Sequence, residues 1–227
     1  MAVASCASFM LVMALPARLR VRDNGAVYAV TTTAAHHGVE SFLVRVEARL
    51  TPGSLPQFLI VGLPDAAVRE GAERVRAAIR TTIDAFPDGR CVLNLSPAWR
   101  RKAGSAFDLA IAMALLAAAG QCQAEAIRDV VFIGELGLDG ALRLVSGSLP
   151  AAIAAGRKRR ARMVLPGSVQ IRAHRKLRRC VPAPNTTHIV ASLLGRHLPT
   201  AYYQAAIAAN FAAAGGFESR GATPNAL

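Results

Sequence analysis

A chain of 227 residues, 53% of them hydrophobic, has length for one domain with appendages and enough apolar mass for a buried core. Only 5% is aromatic, and alanine supplies much of the rest, which argues for closely packed helices and against extensive stacking on nucleic-acid bases. The formal charge of +13 is segregated: ten of the 27 basic residues fall between Arg157 and Arg179, and no acidic residue occurs from Gly140 to Phe217, so the basicity belongs to one segment and not to the fold as a whole.

In chain order, residues 8–16 (SFMLVMALP) are too short to cross a membrane and have no preceding Lys or Arg to start a secretory signal. From Glu40 to Leu50, Phe42, Val44, Val46, Ala48 and Leu50 alternate with Leu43, Arg45, Glu47 and Arg49, the period of a half-buried strand. Pro52, Gly53 and Pro56 mark a turn, and Phe58 to Val61 a short second strand. Asp65 is placed to cap a helix whose Val68, Ala72, Val75 and Ile79 share one face, with Arg74, Arg76 and Arg80 late in it, as the helix dipole favours. Pro87, Asp88 and Gly89 turn into a strand at Cys91 to Leu95. After a basic loop, Ser105 opens a long apolar helix to about Ala119, and Val130 to Ile133 give another strand. Leu138, Asp139 and Gly140 reverse the chain before Ala141 to Val145. Ser148 is expected to cap a helix that carries Pro150 in its first turn and ends at Gly156, and Met163 to Leu165 return as a strand. This order predicts an α+β fold with helices packed on a mixed sheet. Beyond Pro166, GSVQIRAHRKLRRCVPAPNTTH shows no amphipathic period and reads as an irregular basic tail.

The motifs GLPDAAVRE (Gly62 to Glu70), RVRAAI (Arg74 to Ile79), NLSPA (Asn94 to Ala98) and GSAFDL (Gly104 to Leu109) closely resemble the N-terminal domain of the magnesium-chelatase-like ComM/YifB proteins. The resemblance covers roughly residues 27–166. It implies the ribosomal-protein-S5-domain-2-like fold shared with Lon protease domains, residues 1–26 being an N-terminal extension and 167–227 a basic tail, irregular or frame-shifted. In the family this domain precedes an AAA+ ATPase, so the resemblance implies a truncated or frame-disrupted product of a cytoplasmic protein that remodels DNA, extending branches during natural transformation. Agreement fades after Pro166 and returns near Val190 to Pro199, a pattern that a shifted reading frame in a GC-rich gene produces; a natural solvated tail is the alternative. ATP and Mg are expected only for the AAA+ domain, which would also assemble the homo-oligomer; DNA is the expected partner, and no membrane is. A stand-alone nucleic-acid-binding module is the first rival, a Lon-type serine hydrolase the second, and a role in pigment synthesis the last.

A P-loop needs a Gly-Lys pair, and the three lysines, Lys102, Lys158 and Lys176, each follow arginine. A serine–lysine dyad would use Ser105, yet the resemblance places Ala106 at the nucleophile position and Pro150 where the lysine should be. Ser105-x-x-Asp108 is better read as a capping box. No catalytic, cofactor-binding or metal residue is expected. Cys6, Cys91, Cys122 and Cys180 form no CxxC pair, and His36, His37, His174, His188 and His197 join no carboxylate or cysteine cluster, which fits a reduced compartment and no zinc site. Arg100, Arg101 and Lys102 precede a helix start, where cations and free amides together favour a phosphate, so the three are a candidate anion or DNA-backbone contact; a solvated loop is the plainer reading. The family keeps a RKEG-like pattern here, and Ala103 replaces its acidic residue.

Overall fold

The first strand, β1 (Val27–His37), runs antiparallel to β2 (Glu40–Thr51) along its whole length, from Val27 opposite Leu50 to His37 opposite Glu40. The computed structural model describes residues 27–37, 40–82, 86, 89–122, 124–157, 162–166 and 179–183. The extension 1–26 and all of the segment 167–227 except 179–183 lie outside the described residues. Sequence patterning left β1 undetected because its middle, Thr31 to Ala35, is covered on both faces. Thr31 Oγ1 donates to the Ala110 carbonyl at 2.9 Å on one side, and Ala34 joins Ala151, Ala152 and Ala155 in a cluster on the other. Such a strand has no polar face to produce a period of two.

Next come β3 (Gln57–Val61), α1 (Ala66–Thr82) and β4 (Arg90–Ser96). A 3-10 turn at Ser105–Phe107 leads into α2 (Asp108–Ala118), followed by α3 (Ala124–Ile127) and β5 (Val130–Phe132). The hairpin of β6 (Glu135–Leu136) and β7 (Leu142–Arg143) precedes α4 (Ser148–Arg157), β8 (Arg162–Pro166) and β9 (Arg179–Ala183). Seven strands form one mixed sheet in the order β3-β4-β2-β1-β5-β8-β9. The β1–β2 and β2–β4 pairs are antiparallel, whereas β3–β4, β1–β5, β5–β8 and β8–β9 are parallel. Thus the α+β expectation of a mixed sheet with packed helices holds. The strand β9 is a correction, since it lies in the segment expected to be irregular; it pairs through its backbone, Met163 opposite Cys180, which needs no alternation of side chains.

One face of the sheet carries α1 and α2, with Val44, Val46, Ala48, Leu93 and Leu95 contributing to a core that also holds Val68, Val75 and Ile79. The expected α1 face is therefore right except for Ala72, which is only half-buried. The opposite face is covered near β1, β5 and β8 by α4. Toward β3 it carries a polar network instead, in which the Tyr28 hydroxyl and Asn94 Nδ2 donate to Glu47 and Arg45 pairs with the same carboxylate at 3.0 Å.

Every residue of α2 is buried, so it is a central helix without a polar stripe, and its one charge must be compensated inside the protein. That charge is Asp108. Its carboxylate takes a two-pronged contact from Arg74 of α1, Nε to Oδ2 at 2.7 Å and Nη2 to Oδ1 at 3.2 Å, and accepts the Leu136 amide of β6 at 3.3 Å. Gly71 of α1 passes close to it, since a Cβ there would strike Asp108 Oδ1. These contacts overturn the expected Ser105–Asp108 capping box. The 3-10 turn carries the chain into α2 without a side-chain cap, because Asp108 is turned inward to Arg74 and not back toward the helix start. They also show that Arg74 serves a buried partner more than the α1 dipole.

Asp65 does cap α1, accepting the Val68 amide at 2.9 Å. Ser148 is the first residue of α4 rather than the residue before it, and its hydroxyl donates to the Val145 carbonyl at 3.1 Å while Ala151 bonds back to Gly147. Pro150 sits in that first turn as expected, and α4 continues through Gly156 to Arg157. The β6–β7 reversal is as read, with Asp139 Oδ1 accepting the Ala141 amide at 3.0 Å.

Burial pushes the Asp108 carboxyl up to about 6, and Arg74 only partly offsets this. The fold therefore holds the proton more tightly than the unfolded chain, which releases it near 3.8. Stability should fall as pH rises from about 4 to 6, and Asp108→Asn should flatten that slope in denaturant titrations. At neutral pH Asp108→Ala, which strands Arg74 and the Leu136 amide, should cost about 3 kcal/mol, and Gly71→Ala should also destabilise through the clash.

Candidate nucleic-acid interface

The strand β4 ends in Ser96, and residues 97–104 carry the chain across the end of the sheet to α2. Two anchors hold this crossing. The first is Lys102, fully buried, whose ammonium donates to the Gly62 carbonyl at 2.7 Å and also to the Pro97 carbonyl. Burial lowers its pKa, and the two carbonyls replace the water it has lost. The second is backbone pairing, Lys102 N to Leu63 O at 3.1 Å and Asp65 N to Lys102 O at 2.9 Å, which locks the crossing to the GLPD turn. Asp65 Oδ2 accepts the Gly104 amide at 3.3 Å, so one carboxylate caps α1 and fastens the far end of the loop.

Gly62 shows why this turn requires its residue type. Its φ of 99° belongs to the left-handed side, and a Cβ would strike the Leu95 carbonyl of β4. The next residue, Leu63, also has positive φ, at 56°. Pro64 O accepts a bond from Arg69 Nη1 at 2.8 Å, tying the turn to α1.

The cluster expected from the sequence is thus divided. Lys102 is an internal clamp and leaves the set of exposed cations, because its hydrogen-bonding partners lie inside the turn. Arg101 is exposed. Arg100 is half-buried, its guanidinium 4.0 Å from the centre of the Phe42 ring and 5.2 Å from that of Trp99. Among the described residues neither Arg100 nor Arg101 forms a salt bridge. Sequence reasoning passed over Trp99, the chain's single tryptophan, which is 76% exposed at the tip of the loop. Its position two residues after the Ser-Pro that ends a strand, beside three cations, was the signal available.

Other singled-out residues lie elsewhere. Ser105 is in the 3-10 turn and Ala106 is buried beside α4. His36 and His37 are exposed at the end of β1, and Gly147 passes close to the His36 ring. His174, His188, His197, Cys6, Lys158 and Lys176 lie outside the described residues. Cys91 and Cys122 are free and buried, and burial raises their thiols to about 11 and about 12, so both are protonated at neutral pH. Among the described residues no three His, Cys, Asp or Glu side chains gather as a metal site, and no helix is long and apolar enough to cross a membrane.

Residues 46–168 match the family described as subunit ChlI of Mg-chelatase. The chain is 40% identical over 132 residues to the competence protein ComM of Haemophilus influenzae, an alignment spanning 58% of this chain and 26% of that protein. It is 40% identical over 133 residues to the uncharacterized protein YifB of Escherichia coli, with 57% and 26% covered. An uncharacterized protein of Mycobacterium tuberculosis is 42% identical over 132 residues, with 58% and 26% covered. The chain thus matches about a quarter of the length of these relatives.

Lys102→Ala should lower stability by about 2 to 4 kcal/mol, since it empties a buried site and leaves two carbonyls unbonded. Arg101→Ala should stay within about 0.5 kcal/mol of the parent. Urea unfolding of the two variants checks both values.

Proposed function

Because the chain belongs to the family of subunit ChlI of Mg-chelatase, we propose that residues 27–166 act as the non-catalytic N-terminal domain of a ComM/YifB-type AAA+ ATPase. In this reading the domain has the Lon-like, S5 domain 2-like topology. The complete protein works in the cytoplasm and remodels DNA by ATP-driven branch migration during natural transformation, in keeping with the competence named for the Haemophilus relative. ATP and Mg are bound by the AAA+ domain, through which the protein also forms its homo-oligomer. Among the described residues the single lysine, Lys102, is committed to the carbonyls of Gly62 and Pro97 and so cannot serve as a P-loop lysine.

The part of the task assigned to this domain is contact with the DNA backbone. The observation that carries it is a loop held at both ends that presents Arg100 and Arg101 without carboxylate partners among the described residues. A cation already paired with a carboxylate must break that pair to bind phosphate, and these two need not. A fixed loop also loses little conformational entropy on binding.

A stand-alone nucleic-acid module is the second reading, favoured by the ten basic residues from Arg157 to Arg179. Deleting that segment would be a poor test, since it would remove β8 from the sheet and with it the bond from Arg162 to the Ala126 carbonyl. Neutralising the basic residues of 158–160 and 172–178 avoids this.

Anisotropy of a labelled oligonucleotide, titrated with the full chain at several salt concentrations, separates the readings. Arg100→Ala and Arg101→Ala should each weaken binding and reduce the log–log salt slope by about one. Unchanged slopes in both variants, with binding lost on neutralising 158–160 and 172–178, would transfer the contact to the basic segment.

A further inference from the structure

We propose that the loop binds single strands in preference to duplex, with an unpaired base stacked on Trp99 while Arg100 and Arg101 hold the flanking phosphates; this rests on the loop being the DNA contact. Exposure of the lone tryptophan is the starting point. An indole is among the largest apolar surfaces a side chain offers, and at 76% exposure most of it faces water. Among the described residues nothing in the packing of the sheet or helices requires it there, whereas Phe42, the third residue of β2, already supplies the ring that supports Arg100.

The order of the stack points to a base as the missing layer. The Arg100 guanidinium lies over Phe42 and beside Trp99, so the three groups form an aromatic–cation–aromatic run whose outer member is open. A nucleobase extends such a run with its own π-face, whatever its identity, while the guanidinium N–H edges and Arg101 remain available to phosphate oxygens. In a duplex each base face is covered by its neighbours. A loop of this length also has no helix or ribbon with which to enter the major groove, so stacking favours the unpaired strand.

The rest of the loop is built to keep this arrangement in place. The Arg100 amide closes a turn onto the Pro97 carbonyl at 3.3 Å, and Lys102 fixes the same carbonyl from within. The low aromatic content of the chain argued against extended stacking on nucleic acid, and it still does for the remainder of the fold. A single platform needs only one ring, correctly placed.

Because Trp99 is the only tryptophan, its emission reports on this site alone. The full chain is titrated with oligothymidylate of roughly 20 nucleotides and with a duplex of matched charge, following tryptophan emission and, in parallel, anisotropy of the labelled strand. The expected result is saturable quenching by the single strand at several-fold lower concentration than by duplex. Trp99→Ala should lower single-strand affinity about tenfold with little change for duplex, and Trp99→Phe should keep most of it. Binding seen by anisotropy without quenching, or a Trp99→Ala variant that binds as the parent does, overturns the stacking inference and leaves a phosphate-only contact. No binding at low salt overturns the proposed DNA contact as well. A blue shift of Trp99 that follows protein concentration alone, without nucleic acid, would show a second copy covering the ring and overturn the proposal too.

Discussion

The Asp108 carboxylate is out of contact with water, and much of the architecture follows from compensating it. A carboxylate in the first turn of a fully buried helix is tolerated only if charge and hydrogen-bond donors come to it. Arg74 comes from α1, and the Leu136 amide comes from β6. One carboxylate thereby fixes the distance between α1 and α2 and docks the hairpin against both. The contact is close enough that a Cβ at Gly71 of α1 would press on the oxygen. The chain leaving β4 reaches the start of α2 through the loop of residues 97–104.

A second buried charge governs the loop itself. Lys102 lies within the structure and binds two carbonyls, one from the GLPD turn and one from the start of its own loop. Asp65 secures the other end through the Gly104 amide. Between Pro97 and Lys102, Trp99 and Arg101 are left to face outward, with Arg100 half-buried over Phe42. Function is thus assigned to the part of the crossing that the frame does not use, and the rigidity of that part comes from ion and hydrogen-bond contacts on either side of it.

Much of this was legible in the sequence, and where it was not, the cause is identifiable. The alternation in β2 was visible because one of its faces is polar, with Arg45, Glu47 and Arg49 outward. The β1 strand was not, because Thr31 and Ala34 are covered from opposite sides. The motifs that carry the family resemblance proved to be joints: GLPD holds Lys102 and caps α1, and Arg74 of RVRAAI meets Asp108 of GSAFDL. Their long-range partners could not be read from spacing, which is why Asp108 was taken for a local cap and Lys102 for a surface cation. Burial reverses the meaning of a charged residue, and a single sequence gives burial poorly at the crossing of two loops. Trp99 lies in a loop outside any periodic element, so spacing carries no sign of its exposure.

In the proposed function a preorganised loop at the end of the sheet, rather than the basic segment of 157–179, meets nucleic acid. Amide and indole chemical shifts of the isotope-labelled full chain, followed by NMR during titration with a single-stranded oligonucleotide, test it most directly. Changes should concentrate at the Trp99 indole, at residues 99–102 and at the adjoining 62–65, with α2 and β6 undisturbed. Shifts confined to the basic residues from Arg157 to Arg179, with the Trp99 indole unmoved, would contradict it.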